Sequence, residues 1–263
     1  MDYTKIKLSS DGDVAIIAFN DPATLNAAGV DTAEQLTHAF QAVSTGDKAA
    51  RAIVLTGEGR GFCSGANLSG RGGGSGEAPR GAGDALITHY NPLVKLIADL
   101  PIPFVTAVNG AAAGVGCSLA LLGDYIVAGE SAYFLQAFRR IGLIPDGGST
   151  WLLPRMIGRA RAMEMTLFGE RVLAAKALDW GMINRCVPDA ELMPTALSIA
   201  HELAKGPASL GLIRKAMWAA LDNDFETQLG HEAKLQNEAG RTADFAEGVG
   251  AFLQKRPAEF KGR

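Results

Sequence analysis

The chain has 263 residues, enough to bury an apolar core as one main domain with at most a small appended unit. Its 48% hydrophobic and 20% charged residues fit a globular protein and exclude a disordered or fibrous one. A formal net charge of −3 and a pI near 5.8 supply no basic field, so nucleic acid is not expected as a partner.

The first residues, MDYTKIKLSSDGD, lack the charged start and apolar stretch of a secretory signal, and no apolar run reaches transmembrane length. A cytoplasmic protein without a membrane partner is expected. Residues 14–20 (VAIIAFN), 52–56 (AIVLT) and 103–108 (PFVTAV) are β-rich runs closed by turn residues, so each predicts a strand. Between the first two, Asp31 followed by Glu34 predicts a helix start, with Leu36, Ala39, Phe40 and Val43 recurring behind it at helical spacing. Residues 70–83 (GRGGGSGEAPRGAG) read as a surface loop, since the GK[ST] ending of a phosphate-binding loop is missing. From about residue 189 the pattern turns helical, over 192–203, 208–221 and 225–239. The expected organisation is an α/β core over 1–188 and a helical region over 189–263 that covers the core or packs on another subunit.

Three cysteines, Cys63, Cys117 and Cys186, are an odd number without CxxC spacing, so reduced thiols are expected rather than disulfides or zinc. His38, His89, His201 and His231 lack ligand spacing, and no metal site is expected. Trp151, Trp180 and Trp218 are expected to pack.

Three segments are rich in small residues: 57–68 (GEGRGFCSGANL), 107–120 (AVNGAAAGVGCSLA) and 141–149 (IGLIPDGGS). Small residues let a ligand approach the backbone, and a following helix presents free N–H groups, so two such loops facing one another would suit a thioester oxyanion. Taken singly, each reads equally well as a tight turn or a close helix contact.

GFCSGANL resembles the GFxxGADL signature of the crotonase (enoyl-CoA hydratase/isomerase) superfamily, and residues 107–134 resemble its second oxyanion loop and following helix. With PATLNA at 22–27 and FLQKRPAEF at 252–260, the similarity spans essentially the whole chain. It implies an α/β, crotonase-like spiral of ββα units with a C-terminal helical region, and a homotrimer or a hexamer built as a dimer of trimers. It also implies an acyl-CoA thioester substrate, coenzyme A being part of that substrate and no separate cofactor being needed. The backbone N–H groups of Ala66 and Val115 would form the oxyanion hole. Val115 stands where hydratases usually carry glycine, which leaves the main-chain donor intact. Thr24, Leu25 and Asn26, with Ala66, Asn67 and Leu68, would line the pantetheine and adenine path, and Lys255 would reach the CoA phosphates.

Family hydratases read GGGCELA and GQPEI, but here Ser118 and Phe138 occupy the two glutamate positions. Hydration through that carboxylate pair is therefore not expected, and Ser118 reads as a relic whose replacement by Ala would spare activity. Asp146 in LIPDGG remains. Pro-Asp-Gly is by itself a common turn. However, YNPL at 90–93, AFRRIGLIPDGGSTWLLPR at 137–155 and GRARAM at 158–163 resemble a subgroup of the superfamily, the epoxyphenylacetyl-CoA isomerases. That resemblance implies a proton-shuttling aspartate, with either ring-epoxide to oxepin isomerisation or movement of a double bond between β,γ and α,β positions. Tyr90 and Phe138 would border the acyl group, and Leu143, Ile144 and Phe138 would enclose Asp146.

Four other readings compete. One is a lyase of the enoyl-CoA hydratase type with atypical catalytic residues. The 4-chlorobenzoyl-CoA dehalogenases share the aspartate but carry Trp at Phe138 and His at Asn91. A serine hydrolase would use Ser118 in the loose elbow GCSLA, which lies too far from its strand end and has no histidine in a convincing loop. A silent CoA-binding protein would not need to retain Asp146.

Overall fold

The computed structural model describes residues 1–46, 49–67, 81 and 83–262; Leu68 and residues 70–80 of the glycine-rich stretch lie outside them. Among the described residues the strands form two sheets. The six-stranded sheet contains β1 (Ile6–Asp11), β2 (Val14–Phe19), β3 (Ala52–Gly57), β5 (Phe104–Val108), β7 (Tyr125–Gly129) and β10 (Arg185–Val187), in that order. The four-stranded sheet contains β4 (Gly61–Cys63), β6 (Ala111–Ala113), β8 (Tyr133–Leu135) and β9 (Val172–Leu173). Consecutive strands alternate between the sheets: β3 precedes β4, β5 precedes β6 and β7 precedes β8. Each turn of the chain adds one parallel strand to each sheet, which makes the α/β spiral of ββα units.

The three strand expectations agree with β2, β3 and β5 to within a residue at either end. β3 and β5 are apolar without alternation because both of their faces are buried. On one face Ile17, Ile53, Leu55 and Phe104 join the main core. On the other, Val14, Val54, Val105 and Val127 meet Ala196, Ala200 and Ala204 of helix α6 (Leu192–Ala204). The buried hydroxyls on these strands are satisfied, Thr56 by the Ala107 carbonyl and Thr106 by the Ala120 carbonyl, both at 2.9 Å.

Helix α1 (Val30–Ser44) starts one residue before Asp31, so Asp31 is not its cap. The cap is Gly29, whose N–H donates to the Thr32 hydroxyl at 3.2 Å, while the Asp31 carboxylate accepts from the Thr32 N–H. Two further helices frame the site: α2 (Asn91–Ala98), which continues a wider turn over Leu86–Tyr90, and α3 (Val115–Ala120). α4 (Ser149–Phe168) breaks at Gly158, where φ is 76°. After α5 (Ala174–Asp179) and α6 come α7 (Ser209–Ala219), α8 (Phe225–Ala239) and α9 (Ala243–Gln254), the last of which the sequence pattern did not separate. Arg214 on α7 is 6% exposed and donates to the Asp124 carboxylate and to the Ile97, Ala98 and Leu100 carbonyls, fastening the helical tail to the core. Trp151 and Trp218 stack with centroids 5.9 Å apart, so both pack as expected. No helix among the described residues is long and apolar enough to cross a membrane.

Candidate active site

Two glycine turns bring the first two small-residue loops together. Gly65 (φ 111°) follows β4 and Gly114 (φ 52°) follows β6, both in a region that side chains disfavour. The loops nearly touch: a Cβ on Gly65 would lie 3.1 Å from the Ala113 carbonyl, and one on Gly114 would lie 3.6 Å from the Gly65 Cα. Ala66 and Val115 are therefore set side by side on the wall of one cavity of about 240 Å³.

Their amides are left over by the local hydrogen bonding. Ala28 pairs with this loop through its own N–H to the Gly65 carbonyl at 2.8 Å and through its carbonyl to the Asn67 N–H at 3.0 Å, a pattern that passes over Ala66. Val115 opens α3, where an amide has no acceptor within the helix. Tyr90 is buried, and its phenol donates to the Ala28 carbonyl at 2.9 Å, which steadies the loop while the side chain lines the cavity.

The opposite wall comes from the turn between β8 and α4. Phe138, Ile141, Leu143 and Asp146 face the cavity. One oxygen of the Asp146 carboxyl is buried without a hydrogen-bond partner among the described residues. Burial pushes this carboxyl up from 3.8 to about 6, because removal from water penalises the charged form. The Asp146 main chain, in contrast, is firmly held: its carbonyl accepts from the Ser118 and Ser149 hydroxyls, both at 2.8 Å, and from the Ser149 N–H at 3.2 Å. Ser118, expected to be dispensable, is thus engaged with the Asp146 main chain.

Ala66, Tyr90, Val115, Phe138 and Asp146 thus converge, but other expected residues do not line this cavity. Asn26 is 1% exposed and its side chain is spent internally: Nδ2 donates to the Glu58 and Gly61 carbonyls and Oδ1 accepts from the Asp21 N–H. Thr24 and Leu25 brace the loop after β4, their carbonyls accepting from the Ser64 hydroxyl at 2.9 Å and the Ser64 N–H at 3.0 Å. Asn67 follows Ala66 but does not line the cavity, and Lys255 is exposed at the end of α9. Ile144, expected to enclose Asp146, is 80% exposed; Ile141 takes its place because the chain reverses at Gly142 (φ 71°).

The sequence reading missed Ser64, Ala85, Leu86 and Arg140 on the wall, although Ser64 sits inside the GFCSGANL motif that could have flagged it. His89 faces Glu34 at 3.2 Å and does not line the cavity. Cys63 and Cys117 are buried, their thiols pushed up to about 12 by burial, which leaves them unreactive at neutral pH.

Comparison with known proteins agrees with this geometry. A family model described as enoyl-CoA hydratase/isomerase matches residues 9–263. A Rhodobacter capsulatus protein named as a probable enoyl-CoA hydratase is 45% identical over 264 residues, covering 100% of both chains. The 1,2-epoxyphenylacetyl-CoA isomerase of Escherichia coli (strain K12) is 46% identical over 252 residues, covering 95% of each. The crystal structure of an enoyl-CoA hydratase from Bacillus anthracis superposes with a TM-score of 0.90 at 30% identity, covering 99% of this chain and 100% of that one. A family match over nearly the full length, with relatives this similar, means that the chain belongs to the enoyl-CoA hydratase/isomerase family, the crotonase enzymes that act on CoA thioesters.

Proposed function

We propose that the protein is an acyl-CoA isomerase in which Asp146 carries a proton between two carbons while the Ala66 and Val115 amides hold the thioester oxygen. One observation carries this reading: among the described residues lining the cavity Asp146 is the one carboxylate, and one of its oxygens is unpartnered. Syn-hydration needs one group to activate water and another to protonate carbon, whereas an isomerase needs one group to take and return a proton.

The carboxylate takes a proton from the carbon next to the double bond. The electron pair moves onto the thioester oxygen, giving an enolate-like anion that the two N–H groups stabilise. Asp146 then returns the proton to the far carbon, and the double bond ends one position along with no net change in composition. A carboxyl near pH 6 is mostly ionised at neutral pH yet basic enough to remove a carbon-bound proton that the oxyanion hole has made acidic.

The cavity of about 240 Å³ is of a size to take the acyl end of the substrate, with the CoA portion running outside it past Ala66, Asn67 and Thr24 to Asn26 and the phosphates near Lys255. A compact, ring-sized acyl group fits it better than a long chain. On that basis, and on the likeness to the Escherichia coli isomerase, a phenyl-derived ring epoxide is the preferred substrate class. The enzyme works in the cytoplasm, without metal or separate cofactor. It assembles as a homotrimer or as a hexamer of two trimers, which would cover exposed apolar side chains such as Phe225 (80%) and Phe252 (82%).

The test is an acyl-CoA panel followed by absorbance and mass: 3-hexenoyl-CoA, a phenyl-derived ring-epoxide CoA thioester and 2-hexenoyl-CoA. Isomerisation of one of the first two without a change of mass is expected. Addition of water to 2-hexenoyl-CoA at a rate matching the best isomerisation would overturn the proposal in favour of the hydratase activity named for the Rhodobacter relative.

A further inference from the structure

The cavity orients its base through the main chain. Ser118 is fully buried, and its hydroxyl donates to the Asp146 carbonyl at 2.8 Å, much closer than its other acceptor, the Gly114 carbonyl at 3.4 Å. Ser149, also fully buried, donates to the same oxygen from its hydroxyl at 2.8 Å and from its N–H at 3.2 Å. Three donors converge on this one carbonyl, more than its two lone pairs, so no acceptor capacity is left over.

Behind that carbonyl the chain leaves through Gly147 (φ 59°) and Gly148 (φ 82°). A Cβ on Gly147 would lie 2.7 Å from the Ser118 Cβ, so α3 and the Asp146 turn are in direct contact. The carboxyl receives none of this support on its inner oxygen, which is buried without a partner among the described residues.

We propose that Ser118 is a positioning residue for Asp146: its hydroxyl, with that of Ser149, fixes the Asp146 main chain so that the carboxyl is directed into the cavity with its buried oxygen left without a partner among the described residues. This rests on the reading of Asp146 as the base. A hydroxyl can perform the task because it donates. An ionised carboxylate at 118 could only accept, so it would repel the Asp146 carbonyl. The donor at 118 and the base at 146 therefore form one unit, which accounts for a small hydroxyl at this position.

The test compares Ser118→Ala, Asp146→Asn and the double variant on 3-hexenoyl-CoA, or on whichever thioester of the panel turns over fastest. Readouts are kcat, KM and the pH profile of kcat/KM. The other titratable groups around the turn are Tyr90 and Arg140 on the cavity wall and Cys117 on α3, whose thiol stays neutral in the range scanned.

In Ser118→Ala the turn relaxes and water reaches the carboxyl. The expected result is a fall in kcat of about tenfold with KM held within about twofold, and an acid limb moved roughly one pH unit downward from about 6. In the Asp146→Asn background the same change should alter residual turnover by less than about twofold, because a positioning residue acts only through what it positions. If Ser118→Ala does not fold, Ser149→Ala removes another donor to the same carbonyl and carries the same expectation.

Wild-type kcat and pH midpoint in Ser118→Ala, alongside an Asp146→Asn that is disabled, would overturn the positioning role and leave the base assignment standing. Equal losses from Ser118→Ala in both backgrounds would also overturn it, giving the hydroxyl an independent role. Near-normal turnover by Asp146→Asn would remove the base assignment and this proposal together.

Discussion

Asp146→Asn separates the energetic cost of the proposed base from its use. Burial raises the carboxyl from 3.8 to about 6, so the fold favours its neutral form. Below pH 3.8 both folded and unfolded chains are protonated, and the group has no effect on stability. Between 3.8 and about 6 the unfolded chain ionises first, and stability falls as pH rises; above 6 the full penalty is present. At about 1.4 kcal/mol per pH unit the whole shift would be ~3 kcal/mol, and screening of the part of the carboxyl that stays solvated reduces the penalty to ~2 kcal/mol. Asparagine keeps the shape and removes the charge, but its amide in the same pocket costs about 1–2 kcal/mol in lost hydration. The variant should therefore be more stable than wild type by up to ~1 kcal/mol at pH 8, a rise in Tm of up to about 4 °C for a chain of this size. At pH 4 the advantage should vanish or reverse slightly. Thermal unfolding followed by circular dichroism at both pH values measures this, and comparing the two differences cancels the amide cost. Turnover at pH 8 should meanwhile fall by about a hundredfold or more. A Tm difference that does not change between pH 4 and pH 8 would refute the burial of an ionised carboxylate at this position, whatever happens to activity.

The unsubstituted enzyme should show kcat/KM rising with pH through a midpoint near 6, since the base acts ionised; a flat profile from pH 5 to 8 would exclude Asp146. Gly65→Ala forces a side chain into a φ of 111° with its Cβ 3.1 Å from the Ala113 carbonyl, so the Ala66 amide should shift and kcat fall by roughly tenfold to a hundredfold. Steady-state kinetics with unchanged kcat would show that this amide is not an oxyanion donor. Arg214→Ala should cost ~3–5 kcal/mol in urea unfolding, because it leaves the Asp124 carboxyl, which burial already pushes up, without its partner. A loss below about 1 kcal/mol would mean that the tail is held by apolar contact alone.

The strands of the main sheet are legible in the sequence because VAIIAF, AIVLTG and FVTAV are apolar for both faces, a signal carried entirely by neighbouring residues. The two small-residue loops that nearly touch are legible as well: close approach of backbones demands small residues, and those stand in GFCSGANL and AVNGAAAGVG. Asp146 stood out by elimination once Ser118 and Phe138 were seen at the glutamate positions. What Ser118 does was not legible, because its partner lies 28 residues away and the two meet only when α3 packs against the turn before α4. Asn26, which the family resemblance put on the CoA path, has its amide engaged by the carbonyls at 58 and 61, contacts that nothing local announces. Ile141 and Ile144 are alike in composition and context, and only the reversal at Gly142 decides which faces the cavity. Chain-local patterns determine which segments become strands, helices and tight turns, because periodicity and backbone strain act between near neighbours. The direction of each side chain in the site was decided by packing between elements distant in sequence, which fixes the loop backbones and with them the Asp146 oxygen that has no partner among the described residues.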